Sequence, residues 1–102
     1  MAPTPLRIKI NALNRLVKEE GLYLQEAQEQ EIRIQALREA GADEYEIKKQ
    51  IEVLEDTKKM VPEIRKKIQS TLEGLKAAGE SDNEEDNVAA KETIKKVEEF
   101  LA

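Results

Sequence analysis

The sequence predicts an all-α fold, an elongated antiparallel three-helix bundle with a proline-kinked second helix. Two long stretches, Thr4 to Glu39 and Asp43 to Leu75, repeat apolar residues every three or four positions, which lays them along one side of a helix. Only a few residues around Gly41 separate them, so the two helices must run antiparallel. A shorter stretch of the same periodicity follows; at about four turns it is too short to be stable alone and is expected to fold back onto the groove of the first two.

Helix one starts at Thr4-Pro5, an N-cap residue followed by proline at the first helical position, and runs to about Glu39. Its stripe is Leu6, Ile10, Leu13, Val17, Leu24, Ala27 and Ile34, broadened on one flank by Leu16, Tyr23 and Leu37. That is wide enough to touch two neighbours, which favours three helices over a two-stranded coil. The same width could serve a second copy of the chain, so monomer and homodimer both remain open. Gly41 supplies the left-handed cap, Asp43 the next N-cap, and Glu46 three residues on the capping-box spacing.

Helix two therefore begins at Glu44. Ile47, Ile51, Leu54, Val61, Ile68, Leu72 and Leu75 form its stripe, and its outer face, Lys48, Glu52, Glu55, Lys59, Glu63 and Lys66, pairs mostly opposite charges. Pro62 has no N–H for the carbonyl of Lys58, so the helix kinks there or divides into two shorter helices. Helix two fades at Ala77-Ala78 with Gly79 as its stop. The hairpin turn sets the register, with facing residues whose numbers total about 84 or 85. This places Gly21 opposite Pro62, Glu20 opposite Arg65, and Lys58 within reach of Glu26 or Glu31. A glycine within a helix costs about 1 kcal/mol against alanine, and close approach of the proline turn is the reason expected for Gly21.

Through Gly79 there are fourteen Lys/Arg against fourteen Asp/Glu, so the net charge of −5 lies wholly in the last quarter. The run Glu80, Asp82, Glu84, Glu85 and Asp86 reads as a solvated, mobile linker over about 79–86, or else as an acidic segment that steers a partner. Helix three follows from near Glu84 or Asn87, about 87–101 in extent, with Ala90, Ile94, Val97 and Leu101 as its stripe and Ala89, Thr93 and Phe100 beside it.

Without cysteine or histidine, thiol chemistry, disulfides, common zinc sites and histidine acid–base catalysis are excluded. There is no glycine-rich phosphate loop, and the carboxylates alternate with lysines instead of converging, so the chain reads as a non-enzyme without cofactor or metal. A neutral body and an acidic end argue against nucleic acid. The polar start with Arg7 and Lys9 is neither a signal peptide nor an anchor, which points to a cytoplasmic protein that makes no membrane contact. Ile8, Leu22, Val53 and Met60 fall outside the stripes, either as scattered exposed apolar residues or, if they gather, as a protein-binding surface.

Arg15-Leu16-Val17-Lys18-Glu19 with Tyr23 and Glu26, then Tyr45-Glu46-Ile47-Lys48-Lys49-Gln50 with Glu52, Leu54, Met60, Val61 and Pro62, resemble the family of tubulin-specific chaperone A, also called tubulin-folding cofactor A. The resemblance covers roughly Leu6 to Lys76, and the opening Met1-Ala2-Pro3-Thr4 with Ile8-Lys9 is most similar to fungal members. It implies a single-domain three-helix bundle, associated with the cytoskeleton, that captures β-tubulin between the chaperonin and the later cofactors and supports αβ-heterodimer assembly. Other tubulin-folding cofactors are further candidate partners. No nucleotide motif exists, so such a chaperone would act without ATP. The expected contact surface lies on helices one and two: Leu22, Val53 and Met60 as apolar contacts, Tyr45 as an aromatic anchor, and Lys48, Lys49 and Lys59 meeting acidic patches. A generic helical adaptor or coiled-coil spacer is the alternative, and it would need no exposed apolar cluster.

Overall fold

A computed structural model describes residues 2–102. It is all-α: helix α1 spans Pro5–Glu39, α2 Glu44–Ala78 and α3 Glu84–Leu101. The local chemistry accounts for each boundary. Thr4 caps α1, its Oγ1 accepting the Arg7 N–H at 3.1 Å. Gly41, at φ +71°, closes α1 in a Schellman arrangement: its N–H donates to Arg38 O at 3.1 Å and the Ala42 N–H to Leu37 O at 3.0 Å. Asp43 Oδ1 accepts the Tyr45 N–H at 3.3 Å, and α2 begins at the next residue. It continues through Pro62 as one helix, so the alternative of two shorter helices does not hold.

The chain forms two compact units. One, Glu19–Arg65, contains the hairpin turn and only two helical segments. Its core cluster is Ala27, Ile34 and Leu54, with Ile47 and Ile51 packed against it. The register follows the expectation at two points: Arg65 Nε reaches Glu20 Oε1 at 2.6 Å, and Lys58 Nζ reaches Glu31 Oε1 at 3.1 Å. Glu20 sits fully enclosed at a position that the apolar stripe leaves polar, and Thr57 and Gln30 are also buried. Ile64, outside the expected stripe, is buried too.

Gly21 corrects the sequence reading. A methyl group built there meets no atom within 4 Å, and the residue is exposed, so no close approach accounts for it. Gly21→Ala is therefore expected to stabilise the protein by about 1 kcal/mol, seen as a higher denaturant midpoint at unchanged slope.

The other unit comprises the chain through Lys18 together with Lys66–Ala102, and so adds α3 to the outer parts of α1 and α2. Leu6, Ile10, Leu13, Ile68, Leu72, Leu75, Ala90 and Val97 are its buried apolar residues. On α3 the buried positions are Asp86, Asn87, Ala90, Thr93 and Val97, while Ile94 and Leu101 are half-buried and Phe100 is 37% exposed. The stripe is thus rotated toward Thr93 from the one read in the sequence.

The acidic run is a second correction, although the earlier of the two expected starts of α3, Glu84, holds. Helix α3 starts at Glu84, capped by Asn83, whose side chain accepts the Asp86 N–H at 3.1 Å. Glu84, Glu85 and Asp86 are its first turn, where carboxylates favour the helix dipole. Asn87 is buried and grips Ser81: its Oδ1 accepts from Ser81 N at 2.8 Å and Oγ at 3.0 Å, and its Nδ2 donates to Ser81 O at 3.0 Å. Asp86 is buried as well. Thr4 Oγ1 donates to its Oδ2, and Arg7 donates to its Oδ1 from Nε at 3.0 Å and Nη2 at 2.8 Å. Three of the eight residues of the supposed solvated linker, Glu84 to Asp86, are therefore a helix start with the last carboxylate pinned.

These bonds give acid sensitivity. The Thr4 hydroxyl, aided by the Arg7 guanidinium and opposed by burial, holds the Asp86 carboxyl below its ordinary pKa of 3.8. A depressed folded-state pKa stabilises above the ordinary value and loses that stability as pH falls through the folded value. The thermal midpoint of the wild type should exceed that of Asp86→Asn above pH 3.8, and the difference should shrink as pH drops below it.

Candidate protein-binding site

Unit Glu19–Arg65 has a pair of helices and no third to cover them. An open groove of about 420 Å³ runs between the pair, lined by Leu24, Ala27, Gln28 and Glu31 from α1 and Lys58, Val61 and Pro62 from α2. Leu24 was expected in the core, yet half of it is exposed. The reason is coverage. Leu24 lies eighteen residues beyond Leu6, about five helical turns, and so faces the same side of α1, but its unit holds no α3. The Lys58–Glu31 pair stands at the groove edge, each side chain more than half exposed, so it orients the rim and contributes at most about 1 kcal/mol.

The seven contact residues expected from the resemblance, Leu22, Tyr45, Lys48, Lys49, Val53, Lys59 and Met60, are all on this unit and all exposed, while Ile8 lies on the other unit. On α2, Tyr45, Lys49, Val53 and Met60 follow one another at spacings of four, four and seven residues, which puts them along one side of the helix. The structure brings Tyr45 and Lys49 together, with Nζ 5.3 Å from the ring centroid, a cation–π pair that presents aromatic and charge as one feature. Lys48 and Lys59, eleven residues apart, share another side of the outer face. Leu22 does not join the groove. It lies about 200° around α1 from Leu24 and lines a separate hollow with Glu19, Tyr23 and Glu26.

Leu24, Val61 and Pro62 are the residues that sequence reasoning missed. A signal for them existed in the helix lengths: α3 has 18 residues and α1 has 35, roughly 27 Å against 52 Å, so much of a stripe wide enough for two neighbours must lack one of them. Among the described residues no group of three or more acidic residues is placed to hold a metal, and no helix is long and apolar enough to cross a membrane.

The family model for tubulin binding cofactor A matches residues 1–101. The chain belongs to the tubulin binding cofactor A family. Among curated relatives, tubulin-specific chaperone A of Saccharomyces cerevisiae is 50% identical over 76 residues, covering 74% of this chain and 72% of the relative. The Homo sapiens protein of the same name is 34% identical over 87 residues, covering 85% and 79%. Two solved structures share the fold. One, described as a β-tubulin binding post-chaperonin cofactor, superposes with a TM-score of 0.82 at 41% identity over 96% of this chain and 98% of its own. The other, tubulin folding cofactor A from Arabidopsis thaliana, has a TM-score of 0.79 at 30% identity, covering 92% of each chain. These cofactor A relatives are described as chaperones or binding cofactors, a class of role that an uncovered, largely apolar groove suits.

Proposed function

We propose that this cofactor A family member captures β-tubulin folding intermediates after their release from the chaperonin, without ATP, and supports assembly of the αβ-tubulin heterodimer in the cytoplasm. Its relation to a β-tubulin binding post-chaperonin cofactor at 41% identity over nearly the whole chain carries the reading. The physics is compatible. Leu22, Leu24, Ile32, Val53 and Met60 are each 42–65% exposed on one unit, enough apolar surface to shield a partner reversibly. Tyr45 with Lys49, and Lys48 and Lys59 on the outer face, supply an amphipathic anchor and cations for an acidic partner. The protein is read as a binder and not an enzyme, since holding an intermediate requires contact surface alone.

Capture of purified β-tubulin by the wild type tests this directly. A Leu22→Glu, Met60→Glu double variant and a Leu24→Glu single variant, each checked for unchanged helicity, divide the surface between its two sides. Each is expected to weaken capture roughly tenfold or more, since each carries charge into an apolar contact. Full capture by one folded variant removes that side from the interface. No capture by the wild type removes the function.

A further inference from the structure

One oxygen of Thr4 serves two helices. It accepts the Arg7 N–H that caps α1 and donates its own hydrogen to Asp86 at the start of α3. Arg7 completes the clasp with two donors on the other carboxylate oxygen, and the Asp86 side chain is only 7% exposed. The surrounding residues read Pro3-Thr4-Pro5-Leu6-Arg7, the sole Ser/Thr-Pro pair in the chain, with a cation three positions after the hydroxyl. That is the substrate pattern of proline-directed protein kinases. Ala2, Pro3 and Pro5 are exposed, residues 2–4 precede the helix, and Thr4 is partly exposed. The first turn of a helix is the part that opens most readily by fraying, which presents the hydroxyl in extended chain.

We propose that Thr4 is a phosphorylation site for a proline-directed kinase and that its phosphate opens the Thr4–Arg7–Asp86 clasp. In the transfer, Thr4 Oγ1 attacks the γ-phosphorus of ATP. The new O–P bond replaces the bond to the bridging oxygen, ADP leaves, and the hydroxyl proton passes to the kinase's catalytic carboxylate. The product bears a charge of about −1.5 to −2, and the Thr4 oxygen, now esterified, has no hydrogen to give Asp86. It also suits α1 better than the hydroxyl did, because it stands at the positive end of that helix beside the Arg7 N–H. Arg7, one turn away, gains a phosphate that it can grip through two parallel bonds. Asp86 thus loses both partners and faces a like charge while buried, an arrangement relieved only by moving outward. Asn83 still caps α3 and Asn87 still holds Ser81, so the helix persists while its first turn detaches.

The test incubates the full chain with a purified cyclin-dependent kinase and Mg·ATP, locates phosphate by mass spectrometry, and follows amide exchange in the product. Phosphate is expected on Thr4, absent from Thr4→Val, and added several-fold faster to Asp86→Asn, where the hydroxyl is less firmly held. Amides of residues 86–90 should then exchange roughly tenfold faster in the phosphorylated protein, while those of the α1 start do not accelerate. Absence of phosphate on Thr4 in both the wild type and Asp86→Asn would overturn the site. A phosphorylated protein with unchanged exchange at residues 86–90 would overturn the switch.

Discussion

Arg65→Ala is expected to lower stability by about 3 kcal/mol, whereas Glu20→Leu should leave it within about 1 kcal/mol of the wild type or raise it. The asymmetry comes from where the two charges sit. The Glu20 side chain is 1% exposed, its Oε1 meets Arg65 Nε at 2.6 Å, and its Oε2 is buried without a hydrogen bond. Removing the guanidinium strands a carboxylate that has already lost its water. The Arg65 side chain is 46% exposed and can return to solvent when Glu20 goes, while leucine extends the neighbouring apolar stripe. The cost of Arg65→Ala is placed at the low end for a broken buried pair because water reaches one side of it. Urea denaturation of both variants measures the contrast, and thermal midpoints should differ by about 4–8 °C per kcal/mol in a chain of this size. Equal losses from the two substitutions would show that Glu20 is held by more than Arg65.

Ile68→Ala is expected to cost about 3–4 kcal/mol. Ile68 has no exposed surface, and it lies with Leu72 and Leu75 in the unit that contains all of α3. Deleting three carbons there forfeits their burial and leaves a void that three anchored helical segments can close only in part. Ile8→Ala is the control. Ile8 is 54% exposed on α1 in the same unit, so its truncation should stay within about 0.5 kcal/mol. A protein of marginal stability could lose most of its folded population to the first substitution and nothing measurable to the second. Denaturant midpoints of the pair check this, and a small loss at Ile68 would mean that the unit repacks freely.

The sequence by itself determined the helices and their register. Thr4-Pro5, Gly41, Asp43 and Gly79 act through their own backbone geometry and side-chain caps within one turn, so their effect is visible without knowing what lies beyond. The short turn then fixed which residues face each other, as the Glu20–Arg65 and Glu31–Lys58 pairs bear out. Asn83, three residues before Asp86, is as legible a cap as Asp43, and it decides between the two expected starts of α3, Glu84 and Asn87, in favour of the first. What only the tertiary structure decided is the environment of residues whose local chemistry is the same in either outcome. Leu6 and Leu24 share a side of α1, and one is buried and the other half exposed because α3 belongs to the unit of the first alone. Asp86 looks like its neighbours Glu84 and Glu85, yet it alone of the three is buried, where Thr4 and Arg7, some eighty residues away in the chain, satisfy it. Periodicity reports which way a side chain points on its own helix; burial depends on whether another helix is there to meet it.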